Sequence, residues 1–438
     1  SPIPNPQSPI PNPQYYYKSK FIINNLKKMN KKITFLICLI IYLILVFGIE
    51  FAYRKKLYQL SVEYIETLKQ EGFIHYFFWF FSVVYIIAII AIGIIIVLFC
   101  YPLNIFFSHF SILIISIFMM SIFKSLYANS RPYWDIFLKW KTEQRTLPKP
   151  TECDGEFGNP SGHAMFNMYS LYVWHLFISS RFVNKIENNV KRNLIKFLTL
   201  ILTLFFMVCV VYSRIQRQVH SFNQIIHGSL IGLGMFFLFC YIFDYLSYDL
   251  KNFINFLDRY KYIVIPIWII LYALSITFGL TIHNDKEKEY AVLLEEICNF
   301  KEGKMFGKNT ALISSLIFIH VGAYLGLLYM KWKINRSENK EIFEDVLNYW
   351  NKGKILHIIA IVLFSFIMPS VLLLPYVLIP HTLYVLKFIL FLIGNLLYGF
   401  LSFGPLFCFI SEKLKKPEIQ EKQTLISSNQ NDNVISEV

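Results

Sequence analysis

Residues 33–50 read ITFLICLIIYLILVFGIE, an apolar run that meets no charge until Glu50. A helix rises 1.5 Å per residue, so about 20 such residues cross a hydrocarbon core of roughly 30 Å. Similar runs recur along the 438 residues, of which 55% are hydrophobic and only 16% charged. The chain reads as all-α, a polytopic transmembrane helical bundle, because backbone amides cannot go unpaired in lipid and these runs far exceed a barrel strand.

About ten spans are expected, at 33–50, 76–99, 103–124, 162–180, 196–213, 221–246, 262–282, 309–330, 355–377 and 385–411. Lys and Arg accumulate in alternate connections: Lys18 to Lys32 before the first span, Arg181 to Lys196, Lys251 to Lys261, and Lys331 to Lys354. The positive-inside rule then puts both termini in the cytosol. The net charge of +14 is spread over these flanking loops, with no nucleic-acid motif, so membrane lipids and not nucleic acid are the expected partner.

Residues 1–14 are a doubled SPIPNPQ heptapeptide within a basic segment, 1–32, expected to be disordered, as is the polar tail 412–438. The run after Met29 could also start a signal-like segment, but no small-residue cleavage site follows, and a retained span is expected. Of the cysteines, Cys153 and Cys298 both map to the non-cytosolic side, where pairing is possible.

Three polar stretches interrupt this pattern: KSLYANSRP at 124–132, PSGH at 160–163 and SRIQRQVHSFNQ at 213–224. Lys124 ends a span and Arg131 lies seven residues on, about 10 Å along any helical continuation, before Pro132 discourages further helix. Pro160, Ser161 and Gly162 stand where a helix should begin and offer free amides to an anion, with His163 on the first turn. Arg214 ends one helix, and His220, Gln224 and His227 share one face of the next. Taken singly, each has an ordinary structural reading: a snorkelling lysine, a helix start, a histidine satisfied inside the bundle. That reading is retained for His227, and Gly228 with Gly232 reads as a small-residue packing patch.

In this order and spacing the motifs resemble those of the type 2 phosphatidic acid phosphatase superfamily: Lys, six residues, Arg-Pro; Pro-Ser-Gly-His; and Ser-Arg, five residues, His, three residues, Asp. The last position departs, since Gln224 stands in place of the Asp. The resemblance implies a six-span phosphatase core over 33–246, with four additional spans over 247–411 outside it. It also implies that His220 attacks phosphorus and forms a phosphohistidine. His163 would act as acid and then base. Lys124, Arg131, Ser161, Gly162 and Arg214 would hold the phosphoryl oxygens, with Gln224 orienting the nucleophile. No metal and no other cofactor is needed for this scheme.

Substrate and setting are less sharply drawn. The breadth of the superfamily favours a lipid phosphate or pyrophosphate, which is the leading expectation, and a Gln at position 224 is also similar to the dolichyl pyrophosphate phosphatases. The local text RPYW at 131–134, PSGHAM at 160–165 and Gln224 is similar to the glucose-6-phosphatase branch, which favours a sugar phosphate. A transporter or inactive relative is the non-enzymatic alternative, against which stands the absence of an internal repeat beyond the terminal heptapeptide. An endomembrane such as the endoplasmic reticulum is the expected location. Oligomeric state is not readable from the sequence.

Overall fold

The computed structural model describes residues 13–68, 72–85, 103–146, 150, 152–246, 250–299, 306–336, 384–405 and 408. Twelve α-helices account for most of them: α1 Pro13–Glu66, α2 Phe73–Phe80, α3 Leu103–Tyr127, α4 Pro132–Thr142, α5 Gly162–Arg181 and α6 Asn189–Gln216, then α7 Phe222–Leu246, α8 Leu250–Thr281, α9 Glu287–Cys298, α10 Phe306–Ser314, α11 Ile317–Arg336 and α12 Tyr384–Phe403. There is no strand among the described residues.

Seven stretches of these helices are long and apolar enough to cross a membrane, within Ile33–Glu66, Phe107–Thr142, Asn189–Gln216, Phe222–Tyr241, Ile254–Thr281, Leu312–Lys333 and Val385–Phe403. The chain is therefore an integral membrane protein with a polytopic helical bundle. Of the ten expected spans, 355–377 lies outside the described residues, and 76–99 is described only through Tyr85, as α2 and a π-helical turn. The span expected at 162–180 is the helix α5, but Asn167, Ser170 and His175 lower its apolarity. Tyr169, Val173 and Phe177 of this helix are buried, so it packs within the protein instead of presenting an apolar surface all round.

Three boundaries differ from expectation. Helix α1 already includes residues 13–32, expected to be disordered: Pro13 suits a first helical position, and neither Pro nor Gly follows until Gly48. It also continues past Glu50 to Glu66, carrying Arg54, Tyr58, Ser61 and Ile65 beyond the apolar run. The span expected at 309–330 is broken after Ser314, where both the backbone N–H and the hydroxyl of Ser315 donate to the Leu312 carbonyl. Residues 1–12 and 412–438 lie outside the described residues.

Helices on both sides of residue 247 share one hydrophobic cluster. Phe107, Met165, Tyr169 and Phe239 join Leu257, Ala323, Leu327 and Phe403 in it. The later helices therefore pack as part of the same bundle. On the outside, α1, α6 and α8 expose Ile40, Ile44, Phe197, Ile201, Ile263 and Ile270, side chains that hydrocarbon solvates and water does not.

The α5–α7 contact fixes the height of the polar motifs. A β-carbon on Gly228 would lie 2.4 Å from the Ser161 carbonyl oxygen, and one on Gly232 would lie 2.2 Å from that of Met165. The two helices thus touch backbone to backbone, in keeping with the packing role read for this pair. Gly232→Val should force them apart and lower stability by roughly 1–3 kcal/mol or more, read as a lower midpoint in thermal unfolding of the detergent-solubilised protein.

Candidate active site

All three motifs meet at one end of the bundle, although the first does so differently from the helical continuation expected. Helix α3 stops at Tyr127, and Ala128 takes a φ of 43°, which turns the chain. Arg131 is extended at the N-cap of α4, with Pro132 at its first turn. The Lys124 ammonium binds the Glu156 carboxylate, while Arg131 Nε donates to the Glu156 carbonyl at 2.6 Å. Both cations thus reach one residue and are nine-tenths or more buried.

The second motif forms the expected helix start. Ser161 is extended and α5 begins at Gly162, after a cis Asn159–Pro160 bond. First-turn amides have no intrahelical acceptor, so this end of α5 presents donors and the positive end of a dipole. The Ser161 hydroxyl is buried with no hydrogen-bond partner among the described residues. His163 is half-buried, within electrostatic reach of Arg214, Asp154, Lys124 and Arg131.

In the third motif, α6 ends at Gln216, Gln218 takes a φ of 64°, and the chain turns back so that His220 precedes α7. Arg131 Nη1 donates to the Val219 carbonyl at 3.1 Å and faces His220 Nε2 at 3.4 Å. Gln224 Nε2 donates to the Ser130 carbonyl at 2.8 Å, while its Oε1 accepts from the Ser221 amide at 3.2 Å. That fixes the amide so that Oε1 faces His220 Nδ1 at 3.2 Å. Guanidinium can only donate, so the arrangement selects the tautomer with the proton on Nδ1 and a lone pair on Nε2. Burial above all, then the charges of Arg131, Arg214 and Lys124, holds the His220 pKa well below its ordinary value. A neutral ring in this tautomer presents the Nε2 lone pair toward the Arg131 guanidinium.

His227 falls outside this group. Its Nδ1 pairs with Asn159 Oδ1 at 3.0 Å, its ring meets Phe47 and Tyr127 edge-on, and Asn159 Nδ2 donates to the buried Glu50 at 2.9 Å. It braces the segment before Pro160 from behind, as its reading as a buried polar residue anticipates.

The sequence reading missed the anions. Glu152, Asp154 and Glu156 each occupy one of the cations singled out in the motifs. Glu152 makes a two-pronged pair with Arg214, 2.9 Å on each prong, and lies 3.0 Å from Arg217 Nε. Asp154 lies 2.6 Å from Arg131 Nη2, and Glu156 is on Lys124. Burial would raise the Glu152 pKa, but Arg214, Arg217 and Arg131 together outweigh it and hold the carboxyl below the usual range. The i, i+2, i+4 spacing of these acids was the available signal, since alternate residues of an extended segment share a side. Arg217, three residues after Arg214 and equally buried, is the missed cation.

Residues beyond 247 hold this acidic segment in place. Cys153 is disulfide-bonded to Cys298 at the end of α9, with the Cα atoms 5.7 Å apart. The Phe306 amide donates to the Gly155 carbonyl at 2.6 Å. Phe157 and Trp134 pack with Tyr290 and Phe306 in a second hydrophobic cluster.

A buried cradle of cations and helix amides, with a neutral imidazole aimed into it, suits a tetrahedral oxyanion undergoing nucleophilic attack. This integral membrane protein thus carries a preformed oxyanion cradle at one end of its helices. Comparison of the sequence agrees: residues 105–248, which carry all three motifs, match the model of the PAP2 superfamily, and that match suggests a phosphatase. No curated protein and no solved structure matches the chain.

Two outcomes follow from the electrostatics. Glu152→Gln and Asp154→Asn should each tighten binding of inorganic phosphate, by about tenfold if one competing ion pair is removed, as measured by calorimetry on the solubilised protein. Because the folded His220 pKa is depressed, the unfolded chain takes up a proton that the folded one refuses below about pH 6.5. The stability difference between wild type and His220→Gln should therefore be constant above that pH and shift against the wild type as pH falls, in thermal unfolding across a pH series.

Proposed function

We propose that this protein is an integral-membrane phosphatase that hydrolyses a phosphomonoester through a phosphohistidine on His220. The observation that carries the reading is the placement of His220, whose Nδ1 faces Gln224 Oε1 and whose Nε2 faces the Arg131 guanidinium within the cation cluster. The substrate phosphoryl group displaces the acidic segment from Lys124, Arg131 and Arg214 and takes the Ser161 hydroxyl and the Gly162 amide as further donors. With the phosphate dianion offsetting the cations, His163 takes up a proton from water; His220 Nε2 then forms the N–P bond as the bond from phosphorus to the alcohol oxygen breaks, and the protonated His163 gives that proton to the oxygen. In the second step water attacks phosphorus, His163 takes the water's proton, and the N–P bond breaks to return neutral His220 and inorganic phosphate. The cations and the dipole end of α5 stabilise charge on the transferring group in both steps.

Two observations support a small, polar substrate such as a sugar phosphate. Glu152 and Asp154 have side chains that are 24% and 26% exposed, so the approach to the cations runs past a hydrated acidic rim. Carboxylates released from the cations would accept hydrogen bonds from a polyhydroxy leaving group and repel a second phosphate. The exposed apolar face of α6 keeps a lipid phosphate, entering sideways from the bilayer, as the second reading. The Cys153–Cys298 bond and the alternation of basic loops support a site on the non-cytosolic face of an endomembrane.

The test is phosphate release by the purified protein, without added metal, from glucose 6-phosphate, phosphatidate, a sphingoid base phosphate and dolichyl pyrophosphate. Sugar phosphate should turn over fastest, and His220→Ala should remove at least a factor of about 10³ in kcat. Release undiminished in His220→Ala would sink the mechanism, and faster release from phosphatidate would sink the substrate assignment.

A further inference from the structure

Gln224 lacks the charge of an aspartate, yet its amide is held from both ends. The holding point is the carbonyl of Ser130, so whatever fixes Ser130 also sets the nucleophile. The Ser130 hydroxyl donates to Asp135 Oδ2 at 2.7 Å, from one turn into α4 back to the residue before Arg131. Asp135 in turn is anchored from two other elements. The Tyr58 hydroxyl of α1 donates to Oδ2, and the Tyr290 hydroxyl of α9 donates to Oδ1 at 2.6 Å. Burial first, then the neighbouring Asp135 carboxylate, pushes the Tyr290 hydroxyl pKa up, so it remains a donor at neutral pH.

From this geometry we infer that Asp135 is a positioning residue for the reaction, acting through Ser130 and Gln224 on His220. The inference rests on the His220 phosphatase reading. An acceptor-only carboxylate gathers three hydroxyl donors and so pins the turn between α3 and α4. The turn carries Ala128 in its left-handed conformation, with the Asn129 carbonyl accepting from the Gly158 amide at 2.8 Å, and it ends in Arg131. With Ser130 fixed, its carbonyl compels Gln224 to present nitrogen outward and oxygen to His220 Nδ1. Loosening it lets the Gln224 amide rotate and removes the preference for a lone pair on Nε2. Asp135 touches neither the histidine nor any cation of the cradle in the contacts described, so its effect travels through orientation.

The experiment is a double-mutant cycle on kcat and KM, using Asp135→Ala, Asp135→Asn, Gln224→Ala and the two doubles in the full-length protein, with wild type and His220→Ala as references. Asp135→Ala should lower kcat by about 10- to 100-fold, the usual cost of losing an outer partner of a reacting group, with KM within about threefold of wild type. Asp135→Asn, which keeps one carbonyl acceptor, should recover part of the loss. In the Gln224→Ala background the same substitutions should cost less than about threefold, since the residue they act through is gone. Equal fold-losses in the two backgrounds, or wild-type kcat in both Asp135 variants, would overturn the inference. If Asp135→Ala does not fold, the asparagine arm of the cycle decides alone. Activity retained in His220→Ala would instead remove the underlying reading, so the two failures are separable.

Discussion

Lys124, Arg131, Arg214 and Arg217 lie buried together at one end of a helix bundle, and cations removed from water cannot be left without compensation. Much of the local structure answers that constraint. The segment from Glu152 to Glu156 supplies three carboxylates, shared so that Glu152 serves both Arg214 and Arg217. Its placement then depends on anchors outside the matched region, namely the bond to Cys298 and the Phe306 contact with Gly155. The helices after residue 247 thus reach the site directly.

The same pairing reconciles a stable resting protein with a reactive one. A cradle evolved only for affinity would hold its anion too well, and one left empty would bear several uncompensated charges. In the proposed mechanism the carboxylates that are still a quarter exposed, Glu152 and Asp154, are the ones with water beside them to move into when a dianion takes their place. Glu156 is more deeply buried against Lys124, so the three contacts differ in how readily they open.

The helical class was legible because apolar runs of span length leave the backbone no alternative in lipid. The convergence of the three motifs was legible because each sits at a span end, where a short polar stretch is confined to one surface. Other features were hidden because their cause lies far off in the chain. The continuation of α1 to Glu66 brings Tyr58 onto Asp135, and α9 brings Tyr290 onto it, although neither tyrosine stands out among 28. Helix α5 is less apolar than the other expected spans, and its polar residues are tolerated because the helix is packed against α7, a tertiary property that no window of sequence reports.

The glutamine at position 224 is best understood from its surroundings. An aspartate there would set a shorter, acceptor-only group toward the Ser130 carbonyl, leaving two acceptors face to face with no proton between them. It would also add a carboxylate beside a cradle that already carries three. Glutamine supplies the missing donor, and its extra length fills space that a side chain at 158 would take: a β-carbon on Gly158 would lie 2.6 Å from both Gln224 Nε2 and Oε1. Gly158, the Ser130 carbonyl and Gln224 therefore form a matched set. Exchanging Gln224 for aspartate would break its fit with the other two, so in the proposed reading the glutamine still orients His220.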